Sequence, residues 1–135
     1  MTILQPPGWP RPKGYSCGIS AQGTSVFVSG QIGWDEHGRF PSPDIAGQVR
    51  QALRNVVAIL GQAGARPEHV ARMTWFITDK RAYLTAQHEI GASYRAVMGR
   101  HFPAMSVIEV SGLLEDQAVV EIEATAVIPP SRLSP

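Results

Sequence analysis

One cysteine, Cys17, stands among 135 residues, which excludes an intrachain disulfide framework and fits a reducing compartment. An excess of charge of either sign is also missing. Twelve Lys plus Arg against 11 Asp plus Glu leave a net charge of +1 without a basic block, so no bulk field recruits nucleic acid or an anionic membrane. No apolar run approaches the roughly 20 residues that cross a bilayer, and prolines interrupt the start, MTILQPPGWPRPKGY, where a signal peptide needs an unbroken apolar stretch. His37, His69, His88 and His101 are scattered without the paired spacing of metal ligands, and no GxxxxGK, GxGxxG or catalytic-triad pattern is present. These absences lead to the expectation of a soluble cytoplasmic protein without metal or cofactor, whose partners are recognised locally: a small molecule and further copies of itself, not nucleic acid or membrane.

The length suits one domain with two packed layers. The first 13 residues hold four prolines and a glycine and read as an extended arm. Residues 14–128 read as the domain, and PPSRLSP, residues 129–135, as a tail. Ser16 to Ile19 and Ser25 to Ile32 read as two strands of a hairpin turning at Gln22-Gly23. Asp44 is a fair N-cap for a helix carrying Ile45, Val49, Ala52, Leu53, Val56, Val57 and Leu60 at helical spacing, ended by Gly64. Val70 to Thr78 alternates as a strand with Ala71, Met73, Trp75 and Ile77 on one face. Thr78 or Asp79 then caps a second helix that presents Tyr83, Leu84, Gln87, Ile90, Tyr94 and Val97 and closes at Gly99.

The two C-terminal stretches carry the chemistry. In VVEIEATAV, Val119 to Val127, one face holds Val120, Ile122, Ala124 and Ala126 and the other holds Glu121, Glu123 and Thr125, because successive side chains of a strand point opposite ways. In FPAMSVIEV, Phe102 to Val110, Met105, Val107 and Glu109 share one face and Ala104, Ser106, Ile108 and Val110 the other. The order β-β-α-β-α-β-β with two amphipathic helices predicts an α+β two-layer sandwich, a mixed β-sheet with both helices on one face. The bare face then carries Phe27, Phe76, Met105 and Val107 among polar residues, and an apolar patch of that kind predicts self-association.

These two stretches, with GYSCGI at Gly14 to Ile19, VFVSGQIGWD at Val26 to Asp35, the helix from about Ile45 to Ala63 and MTWFITD at Met73 to Asp79, resemble the Rid family, also called YjgF. The resemblance covers nearly the whole chain in the family's order. It implies a chorismate-mutase-like fold, a homotrimer with sites in the clefts between subunits, and hydrolysis of imines and enamines. By resemblance, Tyr15 closes over the ligand, Ser29 and Gly30 supply a main-chain donor, and Glu121 positions the hydrolytic water. In the deaminating members an arginine between the Ala and Ser of the PAxS element grips the substrate carboxylate. Here that residue is Met105, two positions before Val107, where many members have cysteine.

A pocket floored by Met105 and Val107 should prefer an apolar or neutral group where the deaminases hold a carboxylate. Arg100 or His101 is the alternative source of a cation, although both read as rim residues, and the family's helix asparagine corresponds to Gln87 or Gly91. Cys17 reads as a small buried hydrophobe rather than a nucleophile. Three functions stand at this point: a deaminase-type hydrolase with a shifted substrate class, a non-catalytic ligand-binding trimer, and, with least support from the charge pattern, a ribonuclease.

Overall fold

The computed structural model describes residues 1–131. Its elements are β1 (Thr2–Leu4), β2 (Gly18–Ser20), β3 (Thr24–Ile32), α1 (Ile45–Gln62), a 3-10 turn (Pro67–His69), β4 (Val70–Ile77), α2 (Lys80–Thr85), α3 (Gln87–Met98), β5 (Ala104–Glu109) and β6 (Val120–Ile128). Strands β3, β6, β4 and β5 form one mixed sheet in that order. The β3–β6 and β6–β4 pairs are antiparallel, and β4–β5 is parallel. A parallel pair needs a long crossover, which α2 and α3 supply. Helices α1 and α3 cover one face, so the α+β two-layer sandwich read from the sequence is the architecture found.

Helix α1 starts where the Asp44 carboxylate accepts the Gly47 amide at 2.9 Å and the Ser42 hydroxyl at 2.7 Å. Those two bonds, the hydroxyl first, hold the Asp44 carboxyl below its ordinary 3.8. The helix buries Ile45, Val49, Ala52, Leu53, Val56 and Leu60 on the sheet, against Met73, Trp75, Ile77, Val120, Ile122, Ala124 and Ala126. Burying one such leucine stabilises the fold by about 2 kcal/mol. In β4 the pairing steps from Val70↔Ala126 to Arg72↔Thr125, a bulge at Ala71 that turns Val70 inward as well as Met73. Ala71 is thus not a core position of a simple alternation.

Five readings are corrected. The segment before β2 is tied to the start of β5: the Ser16 hydroxyl donates to the Phe102 carbonyl at 2.6 Å, and its amide donates to the Pro103 carbonyl at 3.0 Å. With its backbone committed there, β2 pairs with β1 and not with β3, so the hairpin is absent and part of the arm is a strand. The second helix is two, because Ala86 ends α2 and starts α3. Cys17 is exposed rather than buried. Met105 and Val107 do share a face, but it is the helix-covered one, since they pair with Met73 and Trp75. Residues 132–135 of the tail lie outside the described residues.

Candidate functional site

Because β5 is an edge strand, the side chains on its helix face meet α3 on one flank only, which leaves a cleft of about 550 Å³. Met105, Val107 and Trp75 line it from the sheet, Gln87, Ile90, Gly91, Tyr94 and Arg95 from α3, Tyr83 from α2, and Lys13, Gly14 and Tyr15 from the arm. Tyr15 reaches it because Ser16 is bonded to Phe102 and Pro103, which bridges the arm to β5 immediately before Met105. The Tyr94 hydroxyl donates to the His101 carbonyl at 2.5 Å, and its ring stacks on Phe102 with centroids 5.7 Å apart. Burial raises the hydroxyl pKa of both Tyr83 and Tyr94, so both are neutral hydrogen-bonding groups at physiological pH. Trp75 is buried with its indole N–H unpartnered among the described residues.

A second cluster forms on the opposite side of the sheet. Glu121 alternates with buried Val120 and Ile122, so it points away from the helices, beside Phe76 on β4. The β3–β6 register slips between Val28 and Gln31, and the residues freed by that bulge are Ser29 and Gly30. A side chain at Gly30 would sit 2.7 Å from the Glu121 carboxylate carbon and from its Oε2, so only glycine lets the carboxylate lie against this backbone. The Ser29 carbonyl accepts from the Gln31 side chain at 3.1 Å. Around the cluster the open face shows Phe27, 78 % exposed, together with Ile108, Arg72, Thr74 and Glu123.

The structure therefore brings Tyr15, Met105 and Val107 together, brings Ser29, Gly30 and Glu121 together, and puts the two groups on opposite faces of one sheet. Gln87 and Gly91 both line the cleft, so both candidates for the family's helix position are there. Arg100 and His101 are not. His101 is spent on structure, its Nε2 bonded to the Val70 carbonyl at 2.6 Å. The cations lining the cleft are Lys13 on the arm and Arg95 on α3, neither of which the sequence reading named. The signal of Arg95 is Gly91 four residues earlier, a gap on the same helix face into which a long side chain lies back. Among the described residues no cluster of His, Cys, Asp and Glu is disposed to hold a metal, and no helix is long and apolar enough to cross a membrane.

Comparisons with known proteins give the family and the fold. The sequence model of the family described as Endoribonuclease L-PSP matches residues 10–128. The 2-iminobutanoate/2-iminopropanoate deaminase of Salmonella typhimurium is 37% identical over 108 residues, covering 78% of this chain and 80% of its own. A RutC family protein of Pyrococcus horikoshii is 38% identical over 119 residues, 87% of this chain and 90% of its own. Among solved structures, the Rid-family protein YyfB of Yersinia pestis superposes with a TM-score of 0.81 at 28% identity, covering 94% of this chain and 98% of that one. TdcF of Escherichia coli with bound serine gives a TM-score of 0.67 at 34% identity, covering 95% and 99%.

Proposed function

We propose, because the chain belongs to the Rid or YjgF family, that it is a deaminase-type hydrolase of a small imine or enamine, working at a site shared between copies of the chain in a homotrimer. The observation that carries the reading is the separation of the two groups: the ligand-sized cleft with Tyr15, Met105 and Val107 faces the helices, and the only matched acid-base group, Glu121, faces away from them. A site that uses both takes its cleft from one copy and Ser29, Gly30 and Glu121 from the next. The open face with Phe27, Phe76 and Ile108 is the surface that such an assembly covers.

In this reading Glu121 accepts a proton from a water held between its carboxylate and the ligand, and the water oxygen bonds to the C=N carbon. Glu121 returns that proton to the nitrogen, giving a carbinolamine; an enamine reaches the same point after tautomerising to its imine. Loss of ammonia from that carbon then leaves a carbonyl group. Gly30 lets the carboxylate and the Ser29–Gly30 backbone act at close range, and Tyr15 shuts the cleft from the arm side. An apolar Met105 stands where an arginine would hold the carboxylate of a small 2-imino acid, so the substrate class is shifted away from those acids. The apolar cleft wall suits a small metabolite better than a phosphodiester backbone, whose recognition rests on cations.

The test is Glu121→Gln, which keeps shape and most hydrogen bonding but cannot accept the proton. Parent and variant are screened against imines, enamines and cyclic amides, with ammonia release and thermal shift read in parallel. Turnover should fall by about 10²- to 10⁴-fold with ligand-induced thermal shift retained. Equal activity in both proteins would make Glu121 structural, and a parent that binds ligands without turning any over would make the protein a binder.

A further inference from the structure

We infer that Arg95 holds the anionic group of the ligand on the helical wall of the cleft, and that the ligand is a carboxylic acid with an apolar body bulkier than a three- or four-carbon chain. The inference rests on the reading of this cleft as the ligand site. Its first support is packing. The position that a side chain at Gly91 would occupy lies 3.1 Å from Arg95 Nη1, so the guanidinium lies along α3 over the turn before it, where a Cβ at position 91 would push it aside by a few tenths of an ångström. The second support is charge. Within one chain the residues lining the cleft include two cations, Arg95 and Lys13, and no Asp or Glu, and the single carboxylate of the proposed site is the Glu121 of the next copy. The two side-chain ion pairs among the described residues, His37–Glu36 and Arg66–Glu68, lie elsewhere and leave Arg95 uncommitted.

The remaining walls of the cleft define the body attached to that carboxylate. Met105, Val107, Trp75, Ile90 and Phe102 give it an apolar lining. In one chain, before the next copy borders it, its volume is about 550 Å³, within the range of drug-sized ligand sites and more room than a three-carbon acid fills. An acid anchored on Arg95 spans from α3 to the β5 floor only if it carries a body of branched or aromatic size. A small acid that reaches the guanidinium leaves Met105 and Val107 uncovered, so its burial is worth less. Arginine suits the anchor because its planar fork matches a carboxylate in two parallel bonds. Arg95 is exposed, so solvent screens the pair and the preference it creates is moderate.

Binding of phenylacetate, phenylacetamide and pyruvate to the assembled protein, measured by calorimetry, tests this. The parent should bind phenylacetate about three- to fivefold more tightly than the neutral amide, as one solvent-screened charged pair allows, and more tightly than pyruvate. Arg95→Gln should erase the acid-over-amide gap while keeping amide affinity within about twofold, Gly91→Ala should narrow the gap, and Lys13→Ala should leave it. Survival of the gap in Arg95→Gln, no gap or no binding in the parent, or pyruvate bound as well as phenylacetate would each overturn the inference. If Arg95→Gln loses both aromatic ligands, Arg95→Lys decides: a restored gap supports the anchor, and failure overturns it. Ammonia release is not read, so absence of turnover would remove the hydrolytic reading and leave this one intact.

Discussion

On the helix-covered face of the sheet, β6 presents Val120, Ile122, Ala124 and Ala126, all buried, while on its open face the same strand presents Glu121, Glu123 and Thr125. On β6 the covered face is complete within one chain, with α1 and α3 removing it from water, and only the β5 edge of that face opens into the cleft. The open face is incomplete: Phe27 remains 78 % exposed and Ile108 46 % exposed beside carboxylates. The difference shows how one sheet separates folding from assembly. Residues that stabilise the chain alternate with residues left on the open face, which a second copy covers in the proposed assembly, and the candidate site is divided the same way.

That division is open to attack from either side. Leu53→Ala, deep on the covered face, should cost about 2–5 kcal/mol and lower the thermal midpoint by on the order of 10 °C. Phe27→Ser, on the open face, should leave the stability of each chain nearly unchanged but shift the native mass from three chain masses toward one. A Phe27→Ser protein that melts early yet remains a full trimer would erase the contrast.

A smaller effect is expected at the cleft floor. Met105→Arg restores the cation of the small-acid deaminases, and hydrolysis of 2-aminoacrylate should rise about tenfold, the value of one charged hydrogen bond. No rise in a folded trimer would mean that the pocket differs at more than one position. Smallest is the cap of α1. Asp44→Ala should cost about 1 kcal/mol at neutral pH, measured by denaturant unfolding. The folded carboxyl titrates below its ordinary 3.8, so the contribution is present above the unfolded value and lost as pH falls through the folded one. Parent and variant should therefore converge once the pH has fallen below the folded value, and a difference that persists there would assign the effect to packing instead.

Periodicity carried much of this. The alternation of β6 and the helical spacing of α1 are legible because each element faces one partner across its whole length, so local pattern and burial agree. Met105 and Val107 were read onto the wrong face for the complementary reason: alternation says which residues share a side, and only the parallel pairing of β5 with β4 says which side it is. The hairpin failed at Ser16, whose bonds to Phe102 and Pro103 join residues far apart in sequence. The turn glycine was legible for its conformation: Gly23 has φ 144°, and a side chain there would meet the Ile128 carbonyl. The motif residues Tyr15, Gly30 and Glu121 were named as site residues by resemblance, but Arg95 belongs to no motif and is visible only with Gly91 beneath it.

Mixing two disabled proteins tests the divided site most directly. Glu121→Gln removes the acid-base group and keeps the cleft, whereas Gly91→Trp fills the cleft from α3 and keeps Glu121. Each alone should release little ammonia from a substrate of the parent. After the two are unfolded and refolded together, interfaces that join an intact cleft from one chain to an intact Glu121 from the next should recover up to about a quarter of parental activity, the share that random mixing gives in a closed ring. Mixed trimers as inactive as their components would contradict the account and place the whole site within a single chain.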